Sequence, residues 1–392
     1  MAGVHVGTAK EVEEYFASEA LSQSKGKRLL EGISSFLSDQ KFTGDALDMG
    51  SAVDTILTGE EGEYEKNFHE SLLTRKPTAK IKDILDFVAT NYEGPIPVKI
   101  ADIEILCIAG ADFVEYYKKR TNESRMKDIK AGGVKDTNIG QEYLNDLLLS
   151  KGKTVLTAEQ VATKNAIVLS LRNNDATYRY FDRNLQAAQS ETIDFYYQLP
   201  IYFTIPPTDE ELEENPESEG IKSKALLDFV VVIRNDEGVI MSIEPYDLKT
   251  MGADTNQFLW FSFKKRRYDI QAAWYTMALI SMFEVSNSVV QPFKFIVEST
   301  TNPGHRPLVY TMSEETLSIG MNGRPAFTVV EQNFEFDNTS PTQATVSREV
   351  KGVNQILDLY RWHNKFGWED TKFNMEKKMS GEDLILTWDK VI

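Results

Sequence analysis

Apolar positions in the first half of the chain recur every three or four residues, whereas in the second half they alternate or run together. In EALSQSKGKRLLEGISSFLSD (19–39), Leu29, Leu30, Ile33 and Phe36 predict a helix that Ser22 or Ser24 would cap. A second helix is expected over ALDMGSAVDTILTG (46–59), with Gly59 as its stop. Residues 78–175 read as mainly helical, broken at NYEGPIPVK (91–99) and at the glycines of KAGGVKD. A capping box from Thr157 to Gln160 opens the run TAEQVATKNAIVLSLRNN.

Beyond about residue 190 the texture is that of strands. IDFYYQLPIYFTI (193–205), SKALLDFVVVIR (223–234) and GVIMSIEPYDLKT (238–250) are dense in β-branched and aromatic residues, and NDEG (235–238) predicts a hairpin turn. The acidic PPTDEELEENPESEG (206–220) reads as a solvated loop, or as a loop that holds a partner. A helix over 266–283, a strand over 292–300 and a helix over 353–368 follow. The expected fold class is α/β (α+β): a mainly helical part over 1–190, then a mixed central sheet flanked by helices over 191–392, packed as one compact domain.

Composition narrows the chemistry. The 392 residues carry a formal charge of −17, which argues against a general basic coat for nucleic acid but leaves room for a locally basic channel. One cysteine, Cys107, within an apolar run, rules out a disulfide framework and a cysteine-rich zinc or iron–sulfur site. No phosphate loop of the G-x-x-x-x-G-K-[ST] kind occurs, and the four histidines fall into no metal-ligand spacing. No apolar run is long enough for a bilayer, and the N-terminus lacks a basic-then-apolar leader, so a cytoplasmic chain with no membrane partner is expected.

Asp228 in KALLDFVVV and Asp247 in IEPYDLK stand among residues that belong in a core. A buried carboxylate costs several kcal/mol unless it is paired or binds a metal. Two on adjacent strands would repel each other, so a divalent cation is the natural compensation, magnesium or manganese for oxygen ligands. Lys249, two residues on, shares a strand face with Asp247 and would orient or deprotonate a water and offset phosphoryl charge. Alone, D-x-K is weak evidence, because in most strands it is a surface ion pair. Arg267, Gln271 and Tyr275 add a polar stripe to an otherwise apolar helix, and Asp54 sits among apolar neighbours in a helix with small residues.

LLDFVVV, IEPYDLKT and YDIQAAWY, in that order, resemble the PD-(D/E)XK nuclease superfamily in its RecB-like branch, with the Q-x-x-x-Y helix. LSQSKGKRLL, GSAVDTILTG, the run from Val155 to Asn174 and FIVEST are similar to segments of RecE-type phage exonucleases (exonuclease VIII). The resemblance implies a restriction-endonuclease-like core, with Asp228 and Asp247 as ligands of Mg²⁺ (or Mn²⁺) and Lys249 as the catalytic lysine. Gln271 and Tyr275 would then belong to the active site. It further implies 5′-to-3′ digestion of linear duplex DNA, 3′ overhangs for a single-strand annealing protein in recombination, and a homo-oligomeric ring in a bacterial host's cytoplasm.

Two positions depart from the family pattern. Asp54 replaces its helix histidine and is expected as a further ligand. Gln198 stands where an acidic residue is usual, with Glu191 and Glu244 less well aligned. These departures keep open a catalytically impaired DNA-binding or assembly protein, and a structure-specific endonuclease would use the same chemistry. KKRR (Lys264, Lys265, Arg266, Arg267), next to the candidate site, is expected to grip a DNA strand.

Overall fold

The computed structural model describes residues 3–38, 44–71, 73–189, 192–333 and 342–368. The chain forms two compact units, one from Met1–Phe42, Asn174–Thr301 and Pro307–Ile392, the other from Thr43–Asn173 and Asn302–Arg306. The opening segment up to Phe42 thus groups with the strands and not with the helices that follow it.

In the strand-bearing unit the main elements are β1 (Val4–Val6), α1 (Ala9–Ala17), β2 (Leu21–Ser22), α2 (Gln23–Leu29), β3 (Ile193–Ile205), β4 (Ile221–Arg234) and β5 (Ile240–Met251). They continue with α3 (Tyr268–Phe283), β6 (Lys294–Ser299), β7 (Leu308–Thr311), α4 (Glu314–Asn322) and α5 (Val353–Phe366). The strands form one mixed sheet in the order β1-β3-β4-β5-β6-β7, with β2 beside β4. β3, β4 and β5 are an antiparallel meander, whereas β5 and β6 run parallel. Parallel neighbours need a crossover, and α3 supplies it. The NDEG hairpin forms as expected: Gly238 takes φ +81°, and the Asn235 side chain accepts from the backbone N–H groups of Glu237 and Val239.

Helix α3 is the centre of the core. Ile270, Ala272, Ala273, Trp274, Ala278 and Leu279 are all wholly buried, as suits a helix enclosed on nearly every side. The alanines let the sheet approach, and the Trp274 indole N–H donates to the Lys224 carbonyl at 3.1 Å. Gly26 brings α2 equally close to α5: a Cβ there would lie 3.0 Å from the Ile356 side chain.

Several expected elements are corrected. The helix expected over 19–39 is split, because α2 ends at Leu29 and Gly32 turns the chain at φ +123° before a short helix, Ile33–Leu37. Ser22 is its cap, accepting from the Lys25 N–H at 3.2 Å. The acidic loop contains a helix, Asp209–Glu214, closed by a Thr208–Glu211 capping box. It is held to α5 by Glu211–Arg361 and Glu214–Lys365 ion pairs. The helix expected from 266 starts at Tyr268, since Arg267 takes the left-handed conformation at φ +52°. β1, β7, α4 and an antiparallel hairpin, Arg324–Asn333 with Thr342–Val350, were not anticipated.

The other unit is mainly helical, as the 78–175 pattern requires, with Asp45–Thr58, Ala79–Asn91, Ile139–Leu149 and Ala158–Asn173 among its helices. The Thr157–Gln160 capping box is present. Cys107 is fully buried among Ile81, Ile84, Ile129 and Leu144, and burial pushes its thiol up to about 12. Among the described residues no helix is long and apolar enough to cross a membrane.

Trp274→Ala is expected to destabilise the protein by about 3–5 kcal/mol, read as a lower urea midpoint. An unchanged midpoint would contradict the central role given to α3.

Candidate functional site

The β4–β5 register pairs Phe229 with Tyr246, so the next position sets Asp228 across from Asp247 where the ladder opens. The Leu248 backbone N–H donates to Asp228 Oδ2 at 2.9 Å, which binds the first aspartate to the second strand. Asp247 is 2% exposed. Its Oδ1 accepts from Gln271 Nε2, on α3, at 2.5 Å. Its Oδ2 is paired directly with the Lys249 ammonium. The polar positions of the crossover helix are therefore aimed at the strand pair, as the stripe of Gln271 and Tyr275 predicts.

Electrostatics divide the roles. Burial alone would lower the Lys249 pKa, but Asp247 above all, with Asp228, outweighs it and raises it above the ordinary lysine value. The ammonium also lies 4.8 Å from the centre of the Tyr268 ring, a cation–π contact. Tyr275 is buried one turn beyond Gln271, and burial, reinforced by Tyr15, Asp247 and Asp228, holds its hydroxyl well above the usual phenol range. Lys249 thus stays cationic and Tyr275 stays protonated. A lysine in this state supplies charge and donors.

The other expected residues are distributed unevenly. Gln198 stands across from Asp228, between the Tyr197–Phe229 and Leu199–Leu227 pairs, and takes φ +46°, rare for a residue with a side chain. Gly7 explains how that turn is accommodated: its N–H donates to the Tyr197 carbonyl, and a Cβ on it would fall 2.1 Å from the Gln198 carbonyl oxygen. Glu244 is on the opposite pleat from Asp247, held by Tyr246 and by Lys294 at 2.9 Å, and takes no part in the cluster. Glu191 lies outside the described residues. Asp54 belongs to the helix Asp45–Thr58 of the other unit, where its Oδ1 accepts from the Thr58 hydroxyl at 2.8 Å. Of KKRR, Lys264, Lys265 and Arg266 are exposed. Arg267 is engaged instead with Asp269 and the Lys351 carbonyl, which fixes the left-handed turn into α3.

Two residues join the site that the sequence did not assign to it. Tyr268 forms the floor under Lys249, and its position at the start of the Q-x-x-x-Y helix was the available signal. Lys27, from α2, donates to the Arg266 carbonyl at 3.0 Å. Burial first, then repulsion from Lys249, lowers its pKa to about 8, against the opposing pull of Asp269. It lies in LSQSKGKRLL, more than two hundred residues before β5, and only the fold brings it to the site.

Among the described residues no three His, Cys, Asp or Glu side chains gather as a metal-holding group. The pair that does meet offers hard carboxylate oxygens, one of them buried beside the Lys249 ammonium. Such a pair fits a small divalent cation that keeps most of its waters. No protein-family model matches the chain, and no curated protein matches it.

Lys249→Met is expected to cost about 3 kcal/mol, because it leaves the Asp247 carboxylate buried without its counter-charge. Adding Asp247→Asn should recover most of that loss. A single variant as stable as the parent in urea titration would show that the pair does not carry the buried charge.

Proposed function

We propose that this chain is a magnesium-dependent deoxyribonuclease of the PD-(D/E)XK superfamily, an exonuclease of the RecE-like type. The observation that carries the reading is the convergence of Asp228, Asp247 and Lys249 from the meander with Gln271 from the crossover helix. These are the residues, in the same order, that the resemblance assigns to the catalytic centre.

Asp228 and Asp247 would hold the cation, which when bound supplies a Lewis acid for the phosphoryl oxygens. Gln271 fixes the Asp247 carboxylate through Oδ1, with Oδ2 on the Lys249 side. Lys249, kept protonated by the two aspartates, would stabilise negative charge as it grows on the phosphoryl group. Tyr275 keeps its proton and can donate a hydrogen bond. Lys27 adds a second positive charge at neutral pH, on the Arg266 side of the site. The Gln198 amide, across from Asp228, would bear on the cation or its waters without adding charge.

The substrate in this proposal is linear duplex DNA, digested 5′ to 3′ to leave 3′ overhangs for an annealing protein. A ring of copies would present a basic channel while the acidic surplus faces outward. A binding-only descendant is the second reading, favoured by the neutral Gln198 in an acidic residue's place.

The test is digestion of linear duplex DNA labelled at either end, with magnesium or with chelator, beside a closed circle. The expected result is magnesium-dependent loss of linear DNA only, 5′ label first. Asp228→Asn, Asp247→Asn and Lys249→Met should each lower the rate by about 100-fold or more. No cleavage by the parent with magnesium or manganese would overturn the enzyme and leave the binding-only reading.

A further inference from the structure

The segment joining β5 to α3 carries side chains that the catalytic proposal does not use. It turns through a 3₁₀ turn, Thr255–Gln257, a π-helical turn, Leu259–Phe263, and a helical turn, Lys264–Arg266. π-helical turns of this kind recur at functional sites. The segment is anchored from within: Phe258 is 1% exposed and stacks on Tyr268 at 5.8 Å, and Phe263 packs edge-on to Phe295. Tyr268 is the ring beneath Lys249, so one aromatic cluster joins this segment to the site.

Its outer side is different. Trp260 is 67% exposed, Phe261 59% and Leu259 43%. The Lys264 ammonium lies 3.8 Å from the centre of the Trp260 ring. Among the described residues no carboxylate pairs with Lys264, Lys265 or Arg266, although acidic side chains outnumber basic ones by 60 to 43 in the chain. Two exposed rings, Trp260 with the Lys264 ammonium over one face, beside the further cations Lys265 and Arg266, match one chemistry: a polyanion that carries flat π faces of its own. Single-stranded nucleic acid is that ligand, since bases stack on aromatic side chains whatever their sequence while cations follow the phosphates. An uncharged apolar partner would leave the three cations unanswered.

We infer that Trp260 and Phe261 form a stacking platform for unpaired bases at the end of a DNA duplex, with Lys264, Lys265 and Arg266 on the adjoining phosphates. The inference rests on the nuclease reading for its substrate, and it adds that the site receives a frayed or tailed end. The platform is fixed by Phe258 and Tyr268 to the strand pair that would cut, so bases stacked there would hold the neighbouring phosphodiester in register.

The test measures binding by fluorescence anisotropy, with chelator present to prevent cleavage. Three duplexes are compared: blunt, with a short unpaired tail, and with a tail of the same length lacking bases. The parent is expected to bind the tailed duplex about tenfold more tightly than the other two. Trp260→Ala with Phe261→Ala should abolish that preference while leaving blunt-end binding unchanged. Trp260→Phe, which keeps a π face, should retain it. Equal binding of the tailed and base-free duplexes, or a preference that survives the double substitution, would overturn the platform. So would a smaller mass by light scattering for the double variant, which would assign these rings to an interface between copies. Cleavage by the parent is scored separately: its absence sinks the nuclease reading, and loss of tail preference alone sinks only the platform.

Discussion

A carboxylate buried almost completely in the middle of a sheet is the constraint from which the rest of this unit follows. Asp247 cannot keep its charge there without several kcal/mol of compensation. Lys249 provides the counter-charge from the same strand face, and Gln271 provides a donor from the helix above. The Gln271 bond fixes the rotation of α3 about its axis, so that a helix apolar on nearly every side turns its few polar groups toward the β4–β5 pair. Small residues at 272, 273 and 278 allow the approach, and Trp274 fixes the helix on the β4 backbone. Oδ1 answers to Gln271 and Oδ2 to Lys249, and the proposed cation would share this carboxylate with the ammonium.

Much of the sheet was legible because its signals are local. Dense β-branched and aromatic runs marked β3, β4 and β5, and Asn-Asp-Glu-Gly marked the turn that brings β5 back beside β4. The aspartates declared themselves as charges in apolar runs, and Gln271 and Tyr275 as polar positions one turn apart. What stayed hidden depends on distant chain. Lys27 was only one position of LSQSKGKRLL until β2 paired with β4 and its ammonium met the Arg266 carbonyl. The split of the 19–39 helix came from one glycine at positive φ, and the short helix in the acidic loop needed Arg361 and Lys365 on α5 to hold its carboxylates.

The basic cluster shows the same division within four residues. In sequence KKRR is uniform, yet a left-handed turn at Arg267 separates it. Arg267 is used inside the fold, bridging Asp269 and the Lys351 carbonyl, while Lys264, Lys265 and Arg266 remain at the surface beside exposed rings. A chain with a net charge of −17 thereby keeps a local positive face next to its buried acids. Long-range repulsion and local attraction for a polyanion are then compatible, since screening confines each to about 8–10 Å at physiological salt.

The most direct test of the central claim, that Asp228 and Asp247 together hold a divalent cation, is calorimetric titration of magnesium and of manganese into the parent, Asp228→Asn and Asp247→Asn. Saturable binding to the parent that is lost in both variants is the predicted result. Binding that persists unchanged in both variants, or none to the parent with either ion, would contradict it.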